Sequence, residues 1–164
     1  MPYLLDANVF IQAKNLHYGL DFCPAFWEWL IERNARGAVF SIERVGAEIQ
    51  AVADELADWA VARGPDFFVA PDQTVVPALT TVANWATQEP RYEPAAVNTF
   101  LQVADYFLVA QALAGGHVVV THEKAQPQAK KIKLQDACIG LQVRCMTPYE
   151  MLRLERARFV LPSP

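Results

Sequence analysis

Four carboxylates in this chain stand where local surface solubility does not require them. Asp6 directly follows the apolar run Tyr3-Leu4-Leu5, Glu48 lies on the segment after Ala38-Val39-Phe40, and Glu123 comes two residues after Val118–Thr121. Asp105 differs in kind. Its neighbours at helical spacing, Leu101, Leu108, Val109 and Ala112, are all apolar, which predicts a carboxylate on a buried stripe. A lone charge there costs several kcal/mol in desolvation and must take up a proton or find a partner. No arginine lies near it on that segment. If the four acids converge, each pair at ~4 Å repels by roughly 4 kcal/mol at an effective dielectric of ~20. Divalent cations relieve such crowding, and an all-oxygen ligand set favours Mg²⁺ or Mn²⁺ over zinc.

The elements that would carry these acids alternate. Tyr3-Leu4-Leu5 reads as a short buried strand whose abrupt end at Asp6-Ala7-Asn8 predicts a strand-to-helix turn. Pro24 opens a helix in which Phe26, Trp27, Leu30 and Ile31 recur at helical spacing until Gly37 stops it. Ala38-Val39-Phe40 is a second strand, Ser41 an N-cap, and Val45, Ile49 and Val52 the apolar face of the next helix. Helices are expected around Asp54–Arg63 and Val75–Thr87, then a long one over Ala95–Leu113 that ends at Gly115-Gly116. Val118–Thr121 is the clearest strand, Gln142–Cys145 a weaker one, and Thr147-Pro148 caps a closing helix. The alternation implies an α/β fold with a mainly parallel sheet covered on both faces, and in such sheets ligands gather beyond the carboxyl ends of the strands.

Composition narrows the function classes. With 164 residues, 53% of them hydrophobic, and no linker or repeat, the chain is expected to form one domain over 1–164. A formal net charge of −4 excludes a protein that holds polyanions by bulk charge. The sum hides an asymmetry, because residues 1–90 carry 5 basic and 12 acidic side chains while 91–164 carry 9 and 6. Three cysteines without a C-x-x-C pair argue against a disulfide framework or a structural zinc site. The absence of a basic n-region followed by an apolar h-region, and of a spanning apolar run, makes a cytoplasmic location the expectation.

In order along the chain, L-L-D-A-N (Leu4–Asn8), S-I-E-R-V-G-A-E-I (Ser41–Ile49), A-D-Y-F-L-V-A (Ala104–Ala110) and V-V-V-T-H-E (Val118–Glu123) resemble the acidic motifs of PIN-domain nucleases. The resemblance is closest to the VapC-like bacterial branch, and within it to small PIN-like proteins of uncharacterised function. It implies a three-layer fold with a parallel five-stranded sheet and a metal-dependent ribonuclease site, often that of a toxin silenced by an antitoxin, in proteins that are often homodimers. Asp6, Glu48, Asp105 and Glu123 would be both metal ligands and catalytic residues. Asn8 matches the polar residue that helps fix the site, and Thr121 the threonine before the last acid. The family usually has T-x-D where Thr121-His122-Glu123 stands, and Lys124-Ala125 replaces a further acid and aromatic. Asp136 is either a late substitute for that acid or a turn residue.

Other readings stand beside this one. Asp6 is also a natural helix cap, and Glu43, in the first turn after Ser41, complements the helix dipole, which favours Glu48 for the site while leaving Glu43 as the alternative. Lys130, Lys131 and Lys133 are candidates for phosphate contact or a solvated loop. His17, His117 and His122 lack ligand spacing and receive no role. The sequence therefore points to a Mg²⁺- or Mn²⁺-dependent endoribonuclease acting on RNA phosphodiesters. The main rival is a catalytically weak PIN-like module that binds RNA or a protein partner. A phosphatase with Asp6 as nucleophile ranks below both, because it needs an acid where Asn8 stands.

Overall fold

The computed structural model describes residues 1–163. Five short strands, β1 (Tyr3–Leu5), β2 (Val39–Ile42), β3 (Phe68–Val69), β4 (Val118–Val120) and β5 (Cys145–Met146), pair in the order β3-β2-β1-β4-β5. Every pairing is parallel. Helices flank the sheet: α1 (Ala7–Gln12), α2 (Pro24–Ala35), α3 (Glu43–Gln50), α4 (Glu55–Arg63), α5 (Val75–Gln88), α6 (Pro94–Phe100), α7 (Ala104–Gly115), α8 (Leu134–Gly140) and α9 (Pro148–Leu154). This is the α/β arrangement with a parallel sheet expected from the alternation, and the five-stranded, three-layer fold that the PIN-like resemblance implies. The strands are buried nearly without interruption, as parallel strands with both faces covered must be.

Strand order decides where ligands can collect. The chain builds β1, β2 and β3 outward in one direction, then returns to place β4 and β5 on the other side of β1. The crossovers therefore diverge at β1 and β4, and the crevice beyond their carboxyl ends is the topological switch point of the sheet. The register carries both strand ends to one level, since Leu5 pairs with Val120 and the Asp6 amide donates to the Val120 carbonyl at 2.9 Å. At the far end of α7, Gly116 adopts φ +67° in the left-handed region and turns the chain into β4 within two residues.

Several local expectations give way to the tertiary structure. Ser41 is not a cap but part of β2; fully buried, its hydroxyl donates to the Leu5 carbonyl at 2.6 Å and ties the ends of β1 and β2 together. Ile42 takes the cap position of α3. The single helix expected over Ala95–Leu113 is two, α6 and α7, separated at Leu101-Gln102-Val103 where Val103 is extended (φ −104°, ψ 163°). No glycine or proline announces that break. Ile31 and Val52, expected in the core, lie at the surface; α3 ends at Gln50 before reaching Val52, and Trp29 is buried instead of Ile31. β3 and α8 carry no sequence expectation: the first has only two residues, and the second is a seven-residue helix directly after a basic run. β5 falls at Cys145–Met146, later than the expected Gln142–Cys145.

Candidate active site

Asp6 caps α1, with Oδ1 accepting from the Ala7 amide at 2.8 Å, and it is buried. Its other oxygen, Oδ2, accepts from the Thr121 hydroxyl at 2.8 Å. That hydroxyl in turn accepts from Asn8 Nδ2 and from the Glu123 amide, each at 3.0 Å. Asn8 Oδ1 accepts from the His122 amide at 3.1 Å. One hydroxyl thus joins the first residue after β1 to the turn after β4, and Asn8 fixes the backbone of that turn. Both ends of the switch point are held by side chains in addition to the ladder bonds of Asp6 and Thr121.

Asp105 sits in the first turn of α7, where the positive end of the helix dipole favours negative charge. Leu108, Val109 and Ala112 of the expected stripe share its helix and are buried, Leu101 lies before that helix, and the carboxylate is half-buried rather than fully enclosed. Burial nevertheless pushes its pKa up to about 7, with the charges of Asp6, Glu123 and Glu48 adding to the rise and Lys133 opposing it. Asp6 is raised to about 6, chiefly by burial; the bonds from Thr121 and Ala7 pull it down, while Glu123 and Glu48 push it up. The charges of Glu123 and Glu48 thus reach both Asp6 and Asp105. Among the described residues, none of them has an ion-pair partner within 4.0 Å. Nor, among those residues, does any trio of His, Cys, Asp or Glu side chains form a ready-made ion cage.

Glu48 and Glu43 separate on electrostatic grounds. Glu48 is exposed on α3, yet its charge reaches both Asp6 and Asp105, whereas Glu43 figures in neither shift. Glu48 lines a groove of about 660 Å³ with Glu43, Arg44, Ala47 and the residues Gln102–Ala104 that lead into α7. Arg44, which the sequence reading passed over, stacks its guanidinium 3.8 Å from the centre of the Phe107 ring and is held in that groove wall. Only the packing of α3 against α7 could reveal it, because the two residues are remote in sequence.

Glu123 is half-buried, and its Oε1 accepts from the Leu134 amide at 3.0 Å, satisfying the first free N–H of α8. Asp136, also on α8, is buried and accepts from the Gln126 amide at 3.0 Å. It braces the loop between Glu123 and α8, and its charge contributes to neither raised carboxylate. The three lysines part company. Lys133 is half-buried and close enough to bias Asp105, Lys130 is exposed, and Lys131 lines a separate cavity against α6.

Two histidines without assigned roles meet at the same edge. Tyr149 Oη lies 2.8 Å from His17 Nε2, and the rings of His17, His122 and Tyr149 are mutually within 5.5–5.7 Å. His122 is held below the ordinary histidine range by burial and by His17. His17 ends the π-helical turn Ala13–His17, and Tyr149 opens α9, so no spacing in the sequence links them. His117 lies elsewhere, lining a cavity of about 250 Å³ near the far end of α7 with Gln111.

Among the described residues no helix is long and apolar enough to cross a membrane. Residues 3–159 match the model of a protein family described as a domain of unknown function, DUF4411. No curated protein and no solved structure matches the chain.

Proposed function

We propose, for a chain that belongs to the DUF4411 family, the function of a PIN-like endoribonuclease dependent on Mg²⁺ or Mn²⁺. One observation carries the reading. Two carboxylates near the switch point, Asp6 and Asp105, are raised to about 6 and about 7 by burial and by nearby carboxylates, and among the described residues neither forms an ion pair within 4.0 Å. Carboxylates that crowd without basic partners, and that offer only oxygen donors, suit a hard divalent cation. Asp6, Glu48, Asp105 and Glu123 would hold it. When bound, such an ion lowers the pKa of a coordinated water and offsets charge on the phosphoryl oxygens.

The chain's own residues then do the positioning. Thr121 and the Ala7 amide hold both oxygens of Asp6, and Asn8 holds the turn that presents Glu123. Protons and the cation compete for Asp6 and Asp105, so loading is weakest in acid and strengthens as pH rises past about 7. Arg44, in the groove beside the start of α7, and Lys133, whose charge acts on Asp105, would receive the strand's phosphates.

The test is cleavage of single-stranded RNA with Mn²⁺ present. Asp6→Asn and Asp105→Asn are each expected to lose at least about a hundred-fold in rate, the scale of removing a charge-stabilising group from an active site, while melting cooperatively. Full activity in both variants rejects the site. A second reading, a module that binds RNA or a protein without cleaving, is favoured by Glu123, whose Oε1 is already engaged with α8. That reading expects no Mn²⁺-dependent cleavage in the wild-type chain.

A further inference from the structure

Tyr149 does not stop at the histidines. It also lines a groove of about 170 Å³ with Tyr18, Leu152, Arg153, Ala157 and Phe159. Tyr18 stacks on Phe26 with centroids 4.6 Å apart and meets Phe159 edge-on at 5.7 Å, so the groove wall is rigid aromatic surface. The volume is below the ~300–1,000 Å³ of clefts that take drug-sized ligands, and suits one planar ring.

Charge chooses the occupant. Arg153 is in the groove wall, and Arg156 and Arg158 follow on the same segment, all three exposed. The nearby Glu155 is spent elsewhere, accepting from Tyr3 Oη at 2.7 Å and pairing with Arg33. Glu150, on the outer side of α9, is the one acid left to oppose them on residues 148–159. In a chain of net charge −4 this is a local excess of positive charge around aromatic rings, the combination that binds single-stranded nucleic acid. Position completes the argument, because Tyr149 touches His122 and His122 is bonded to Glu123.

We propose that the Tyr18–Tyr149–Phe159 groove, with Arg153, binds one unpaired base of the RNA strand, the His17–His122–Tyr149 rings leading that strand to the acidic centre. This subsite rests on the ribonuclease reading for its substrate, and it specifies a single-stranded one. An α9 surface that instead seats a second copy of this chain is an outcome of the test.

Binding of a fluorescein-labelled ten-nucleotide single-stranded RNA is measured by anisotropy on the full chain, in an Asp105→Asn background so that turnover does not interfere. Tyr149→Ala is expected to weaken binding about ten-fold or more, while Tyr149→Phe, which keeps the ring and loses the bond to His17, stays within about two-fold of the parent. Arg153→Ala is expected to weaken binding and to reduce the salt slope by about one. Duplex RNA of the same length should bind equally weakly to all four proteins. The subsite is overturned if the parent does not bind the single strand, if Tyr149→Ala binds like the parent, or if Tyr149→Phe falls as far as Tyr149→Ala. It is also overturned if RNA binding is unmoved while the Tyr149 variants change the oligomeric state. Tyr149-dependent binding without any wild-type cleavage retires the nuclease and keeps the subsite; cleavage with Tyr149-independent binding does the reverse.

Discussion

Thr121 makes more of the site than any carboxylate does. Its hydroxyl donates to Asp6 and accepts from Asn8 and from the Glu123 amide, all while the residue is buried. Thr121→Val preserves shape and removes all three bonds. It should cost about 1–3 kcal/mol, because a buried carboxylate oxygen and an amide lose their partners together. Thr121→Ser should restore most of that loss in a urea titration. Thr121→Val should also push the Asp6 pKa above about 6, since the Thr121 bond is the largest influence holding it down. Full stability in Thr121→Val would show that the network contributes nothing to the fold.

At the scale of elements, the junction between the site and α8 is the sensitive one. α8 has no side-chain cap at Lys133, and Glu123 supplies that function from outside the helix. The Glu123 side chain is long enough to bring Oε1 within 3.0 Å of the Leu134 amide. Glu123→Asp should therefore shorten the reach, release the start of α8, and cost about 1 kcal/mol, the usual scale of a lost cap. Amide exchange at Leu134 and Gln135 checks it, and Glu123→Gln, which retains an acceptor, should exchange like the parent. The α6–α7 break belongs to this scale too. It converts Asp105 from a mid-helix residue into a first-turn residue, where the helix dipole offsets part of the desolvation that burial imposes.

Across the whole molecule, the acid cluster is a stored cost that pH reveals. Asp105 rises from 3.8 to about 7 on folding, so between those values the folded chain binds more protons than the unfolded one. Stability from this group is complete below the unfolded pKa and is lost as pH rises through the folded one. Asp105→Asn removes that loss. In EDTA, the variant should be more stable than the wild type at pH 8 by an amount on the order of a few kcal/mol, and the gap should close as pH falls from about 7 towards 5. Thermal melts of the two proteins across that range measure it. A gap that stays constant, or widens in acid, would mean that Asp105 is not desolvated in the folded chain.

What sequence could establish here was local and periodic. Apolar runs of three or four residues marked β1, β2 and β4, proline at a first helical position marked α2 and α9, and their alternation was enough for a parallel sheet because chain connectivity leaves few alternatives. Acids placed just after strands identified Asp6 and Glu123 for the same reason, since a strand end is a position in sequence as well as in space. Folding had to supply everything that depends on distance between remote residues. The split between α6 and α7, the bracing role of Asp136, and the meeting of His17, His122 and Tyr149 each follow from packing of elements whose contacts leave no periodic trace. Electrostatic energy falls off with separation in space and is blind to separation along the chain, so the order of the motifs could name the carboxylates but not how strongly they press on one another.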